Sequence, residues 1–125
     1  MDSEEMKRRT KQFAIDVAKL VQRLPDTTAN RIYKGQIIRS ASSTGANYRA
    51  SRRAKSKSDF INKLKIVEEE LDESLFFLEL LLEFNEPFKK EISELYAESE
   101  TLLKIIVASI VSPRSQSVVH RTPYI

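Results

Sequence analysis

Apolar residues recur along this chain at alternating steps of three and four, the repeat of one face of an α-helix, in successive blocks. Phe13, Val17, Leu20 and Leu24 make the first. Asp2 or Ser3 can cap it, and Glu4 and Glu5 fall in its first turn, where the helix dipole favours acids. Pro25 stops it: the residue before a proline is pushed out of helical angles, so Leu24 is the expected end.

Asp26, Thr27 or Thr28 caps the second block. Its inward series is expected to be Ile32, Gln36 or Ile37, Ser40, Ser43 or Thr44, and Asn47. Few of these are large. Small side chains let a neighbouring backbone approach closely, which should compensate Gly35 and Gly45, each costing about 1 kcal/mol against Ala in a helix. The Arg49–Lys57 run, RASRRAKSK, either continues this helix or forms the loop to the next.

The third block is the clearest. Ser56 or Ser58 can cap it, with Asp59 in its first turn. Phe60, Leu64, Val67, Leu71, Ser74 or Leu75, Leu78 and Leu82 hold a coiled-coil-like seam. Glu68, Glu69, Asp72, Glu73, Glu79 and Glu83 mark the wet side. Asn85, Glu86 and Pro87 then connect to a fourth block, with Pro87 suited to its first turn. That block runs through Phe88, Ile92, Leu95, Ser99, Leu102, Ile106 and Ser109 or Ile110, and Pro113 ends it. Four amphipathic helices joined by short connections predict an all-α, antiparallel up-down four-helix bundle over residues 1–112. Residues 113–125 form a tail without a period, expected to be mobile or to dock on a partner.

The segment Leu75–Phe84, LFFLELLLEF, is apolar over roughly 250° of its wheel, far more than the ~100° a helix buries in its own core. Such surplus predicts a homo-oligomer, against the bland reading that these residues cover the bundle's own ends.

Composition narrows the class. At 125 residues the chain is one domain, and it has no cysteine, so neither disulfides nor thiolate metal sites arise. No signal peptide or membrane-length apolar run appears, which reads as a soluble cytoplasmic protein without a membrane partner. Net charge is only +3, but residues 31–65 hold ten Lys/Arg against Asp59 alone, whereas residues 66–100 hold twelve Asp/Glu against two lysines. A basic half beside an acidic half means either pairing between neighbouring helices or subunits, or an anionic partner at the basic end.

Candidate chemistry is sparse. There is no glycine-rich phosphate loop and no Gly-x-Ser-x-Gly. Metal-carboxylate bundles need Glu-x-x-His, and the lone histidine, His120, is in the tail. Neither a metal nor another cofactor is expected. Arg114 and His120 stand in an Arg-x5-His arrangement that resembles the HEPN family of helical RNases, although Pro113 precedes them; the bland reading is a tail histidine without a role. The best candidate is the basic segment. If helix two runs on, Arg49, Arg52, Arg53 and Lys57 share one face, with Lys55, Lys63 and Lys65 nearby. Such a patch suits phosphates of structured RNA or DNA and carries little sequence information. Tyr48 is the only aromatic close by, so base stacking has weak support.

Gln36-x-x-Arg39-Ser40-Ala41-Ser42-Ser43, then Gly45-Ala46-Asn47-Tyr48-Arg49-Ala50, then Ser58-Asp59-Phe60-Ile61-x-Lys63-Leu64 and Glu69 to Glu73 resemble the bacterial four-helix-bundle proteins encoded in 23S rRNA intervening sequences. The resemblance spans residues ~13–112. Arg49-Ala50 replaces a common Glu-Gly, which strengthens the basic patch, and Glu68-Glu69 stands where small residues often lie. The resemblance implies a homo-pentameric ring and no enzymatic activity. A more distant similarity, to the accessory variability proteins of diversity-generating retroelements, implies RNA and a reverse transcriptase as partners. By that analogy Arg39 and Asn47 would bond between helices, and Arg49 to Lys57 would form the binding surface. The expected protein is therefore non-enzymatic and binds nucleic acid through Arg49, Arg52, Arg53, Lys55, Lys57 and Lys63. The alternative is a scaffold whose ring docks other proteins.

Overall fold

The computed structural model describes residues 2–112. Four helices fill them: α1 (Ser3–Val21), α2 (Thr28–Ser51), α3 (Lys57–Phe84) and α4 (Lys89–Val111). Each packs against its sequence neighbours, and α4 closes against α1 while the diagonal pairs stay apart. The result is an antiparallel up-down bundle. One end gathers the start of α1, the α2–α3 turn and the end of α4. The other gathers the α1–α2 and α3–α4 connections.

Side-chain oxygens start three of the helices. Asp2 accepts the Glu5 N–H at 2.8 Å, Thr27 the Asn30 N–H at 3.1 Å and Ser56 the Asp59 N–H at 3.0 Å. Each satisfies a donor that the first helical turn leaves open. α1 ends three residues before Leu24. The Arg23 and Leu24 N–H groups reach back only three residues, to the Leu20 and Val21 carbonyls, so the chain tightens and tucks Leu24 into the core. Pro87 lies in a short 3-10 turn, Glu86–Phe88, and α4 begins after it.

The core runs through Phe13, Val17, Ile37, Leu64, Val67, Leu71, Leu78, Leu81, Ile92, Leu102 and Ile106. The seam of α3 is as expected as far as Leu78, after which Leu81 is fully buried and Leu82 only partly. In α2 two expectations fail. Ile32 is 58% exposed, and the inward position near that end belongs to Asn30, which finds a polar partner there. Gly35 has open space around its Cα. Gly45 does lie close to a backbone: a Cβ there would stand 3.4 Å from the Thr10 carbonyl oxygen of α1.

The small residues of α2 serve close packing, as their size suggests. Buried Ser40 and Ser74 meet hydroxyl to hydroxyl at 2.8 Å between α2 and α3. Ser99 of α4 donates to the Leu71 carbonyl at 3.2 Å. Among the described residues no helix is long and apolar enough to cross a membrane.

Candidate nucleic-acid interface

α2 does not run on through the basic segment. Its last helical residue is Ser51, whose Oγ donates to the Tyr48 carbonyl at 2.6 Å. The Arg52, Arg53 and Ala54 N–H groups then bond only three residues back, and Ala54 is fully buried as the plug of the turn. Arg49, Arg52, Arg53 and Lys57 therefore do not share one helix face. Arg49 closes α2, Arg52 and Arg53 ride the turn with Lys55, and Lys57 opens α3. The turn brings these five cations together at one end of the bundle.

Asp59 builds the turn's far side. Its carboxylate accepts the Lys55 backbone N–H at 2.9 Å and the Lys63 ammonium at 2.8 Å. The Lys63 hydrogen bond first, and the Lys55 N–H second, hold the Asp59 carboxyl below its ordinary pKa. Lys63 is thus partly neutralised. Arg49, Arg52, Arg53, Lys55 and Lys57 form no ion pair with any described residue. The expected alternative, neutralisation by the acids of α3, applies instead to Arg39. Its guanidinium reaches Glu70 at 3.2 Å and also pairs with Glu73, joining α2 to α3. Asn47 does not bond between helices. Its amide donates to the Ser43 carbonyl and hydroxyl on its own helix, at 3.0 and 2.9 Å.

Two features of this end escaped the sequence reading. Tyr48 is 7% exposed, so it belongs to the core and offers no stacking face. Burial raises the pKa of its hydroxyl, Arg52 opposes that shift, and Asp2 and Glu4 add to it. The start of α1 therefore lies beside the basic turn, with Glu4 paired to Lys7 and Glu5 to Arg8 on its own helix. The up-down order of helices, which brings the first residues of α1 to the α2–α3 turn, was the available signal. Arg52 also lies over the ring of buried Phe60, 5.7 Å from its centroid, which fixes the guanidinium to the bundle.

A groove of about 540 Å³ lies between α1 and α4, lined by Arg8, Gln12, Asp16, Lys19 and Glu94 over a floor of Phe13, Leu20 and Leu95. Ion pairs bridge it, Arg9 to Glu98 (Nε to Oε2, 3.0 Å) and Arg23 to Glu91 (3.2 Å). Its charges answer one another across the groove, unlike those of the turn. Among the described residues no group of three or more His, Cys, Asp or Glu could hold a metal ion. Arg114 and His120, and the tail that carries them, lie outside the described residues.

A family model described as 23S rRNA-intervening sequence protein matches residues 3–108. Among solved structures, the chain is similar to a protein of unknown function from the S23 ribosomal protein family of Bacteroides thetaiotaomicron VPI-5482. The two share 29% identity with a TM-score of 0.81, over 90% of this chain and 100% of that one. No curated protein matches.

Proposed function

The chain belongs to the 23S rRNA-intervening sequence protein family, and on that premise we propose that it is a non-enzymatic, self-associating bundle that binds RNA or another nucleic acid through its basic end. One observation carries the reading. Arg49, Arg52, Arg53, Lys55 and Lys57 converge on one turn without an ion-pair partner among the described residues, whereas Arg9, Arg23, Arg39 and Lys63 are paired and unpaired cations such as Lys11 and Lys104 lie outside this cluster. Clustered cations raise the local positive potential, which attracts polyanions such as phosphate backbones. Lys63 contributes more weakly, because Asp59 holds it.

Self-association is supported by surface that the bundle leaves uncovered. Ile32, Phe76, Phe84 and Val111 are each more than half exposed, at 58, 54, 57 and 69%. Large apolar side chains exposed in numbers favour an interface. A ring of copies, pentameric by the family resemblance, would repeat the basic turn and multiply its affinity.

The second reading is a scaffold that docks other proteins, such as a reverse transcriptase, with no nucleic-acid role. The aromatic cluster of Tyr33, Phe77 and Phe84 favours it, with Tyr33 within 6.4 Å of both phenyl rings. Charge reversal at Arg52 and Arg53 separates the two. Gel shift with a structured RNA and sedimentation of the same variant should show lost binding and unchanged assembly. Unchanged RNA binding, or altered assembly alone, would favour the scaffold.

A further inference from the structure

We propose that the basic end takes the ordered phosphate rows of a nucleic-acid duplex and does not bind single strands by stacking their bases. This rests on the nucleic-acid reading above and narrows it to a substrate class.

Proteins that hold single strands combine a cationic groove with exposed aromatic faces, each stacked base contributing to affinity. The described residues offer no such face at this end. Tyr48 and Phe60 are the rings there, 7% and 4% exposed, and Arg52 lies over Phe60. The exposed rings of α3, Phe76 and Phe84, come 16 and 24 residues after Phe60. At the helical rise they are about 24 and 36 Å further along the bundle. Tyr33 lies with Phe84, 6.1 Å between ring centroids, at that distant end.

The cations themselves are held on a fixed backbone. Successive N–H groups of Arg52, Arg53 and Ala54 are bonded within the turn, and Lys55 N–H is bonded to Asp59. Cations anchored on a fixed backbone suit phosphates that are already in place. A duplex presents such rows, whereas a flexible strand must lose chain freedom to match them and gains no stacking in return.

The test compares an RNA duplex of about 20 base pairs with a uridine strand of equal length, titrated with the full chain across a salt series. Two variants accompany it, Arg52→Glu/Arg53→Glu and Arg53→Glu/Lys55→Glu. The second changes only exposed side chains, so it guards against loss of the Arg52–Phe60 contact. The expected result is duplex affinity at least about tenfold above that of the strand, with a salt slope that both variants make shallower by about two. Equal or tighter binding of the uridine strand would overturn this inference and leave the nucleic-acid reading standing. Binding of neither at low salt would overturn both.

Discussion

The side-chain amides of Asn30 and Asn85 hold each other by two hydrogen bonds, Nδ2 to Oδ1 in each direction, at 2.8 and 2.9 Å. The residues stand 55 positions apart, and both are buried, 1% and 2% exposed. Each amide nitrogen spends its other proton on a backbone carbonyl, Pro25 for Asn30 and Leu81 for Asn85. The pair thus ties the start of α2 to the end of α3 with every amide donor satisfied. Removing one partner strands the other in the core, which costs about 1–3 kcal/mol. Asn30→Ala and Asn85→Ala should each destabilise by that amount in urea, and the double variant by clearly less than their sum.

The two glycines of α2 should answer alanine differently. Gly35→Ala adds a methyl in open space and should stabilise by about 0.4–1 kcal/mol. Gly45→Ala sets its methyl 3.4 Å from the Thr10 carbonyl oxygen and should gain less. Gly45→Ile crowds that contact further and should cost about 1–3 kcal/mol. Thermal unfolding of the three variants ranks them.

Acid and alkali should act on opposite sides of the basic turn. Asp59 has its carboxyl pKa lowered from 3.8, by the Lys63 hydrogen bond first. Its contribution is present above that ordinary value and is lost as pH falls through the lower, folded one. Tyr48 has its hydroxyl pKa raised from 10.0 by burial. Its contribution is intact below 10.0 and is lost as pH rises through the higher, folded value. Urea midpoints against pH should fall at both extremes. Asp59→Asn should flatten the acid limb and Tyr48→Phe the alkaline one.

Arg39 separates structural cations from binding ones. Its pairs with Glu70 and Glu73 lie at the surface, with the Arg39 side chain 49% exposed. Such pairs contribute about 0–1 kcal/mol. Arg39→Gln should change stability by no more than that and leave RNA affinity within about twofold, because its charge is already answered. An RNA affinity lost as steeply as with Arg52→Glu/Arg53→Glu would remove the distinction between the two groups.

Much of this fold was legible in the sequence, because the helical repeat of Phe60 to Leu78 or of Ile92 to Ile106 leaves few alternatives. The caps were legible to within one or two residues: Asp2, Thr27 and Ser56 are each among the two or three candidates the local sequence offers. The course of the basic segment was not. Arg, Ala, Ser and Lys all suit a helix interior or a turn, and what ends α2 is the burial of Ala54 and the reach of Asp59 back to Lys55. Nor was the inward turn of Asn30 legible. Hydropathy puts Ile32 inside, and only a second buried amide 55 residues away makes the polar choice favourable. The burial of Tyr48 was not legible either, although a single aromatic beside the arginines already gave base stacking only weak support.

The account stands most directly on the salt dependence of RNA binding. The logarithm of the affinity of the native chain for a structured RNA, plotted against the logarithm of salt concentration, should fall steeply, with a slope of about −3 to −5 for four to six phosphate contacts. Arg52→Glu/Arg53→Glu should bind more weakly at every salt and with a slope shallower by about two. A slope near zero, the same slope in the variant, or no binding at 50 mM salt would contradict the assignment of phosphate contacts to this turn.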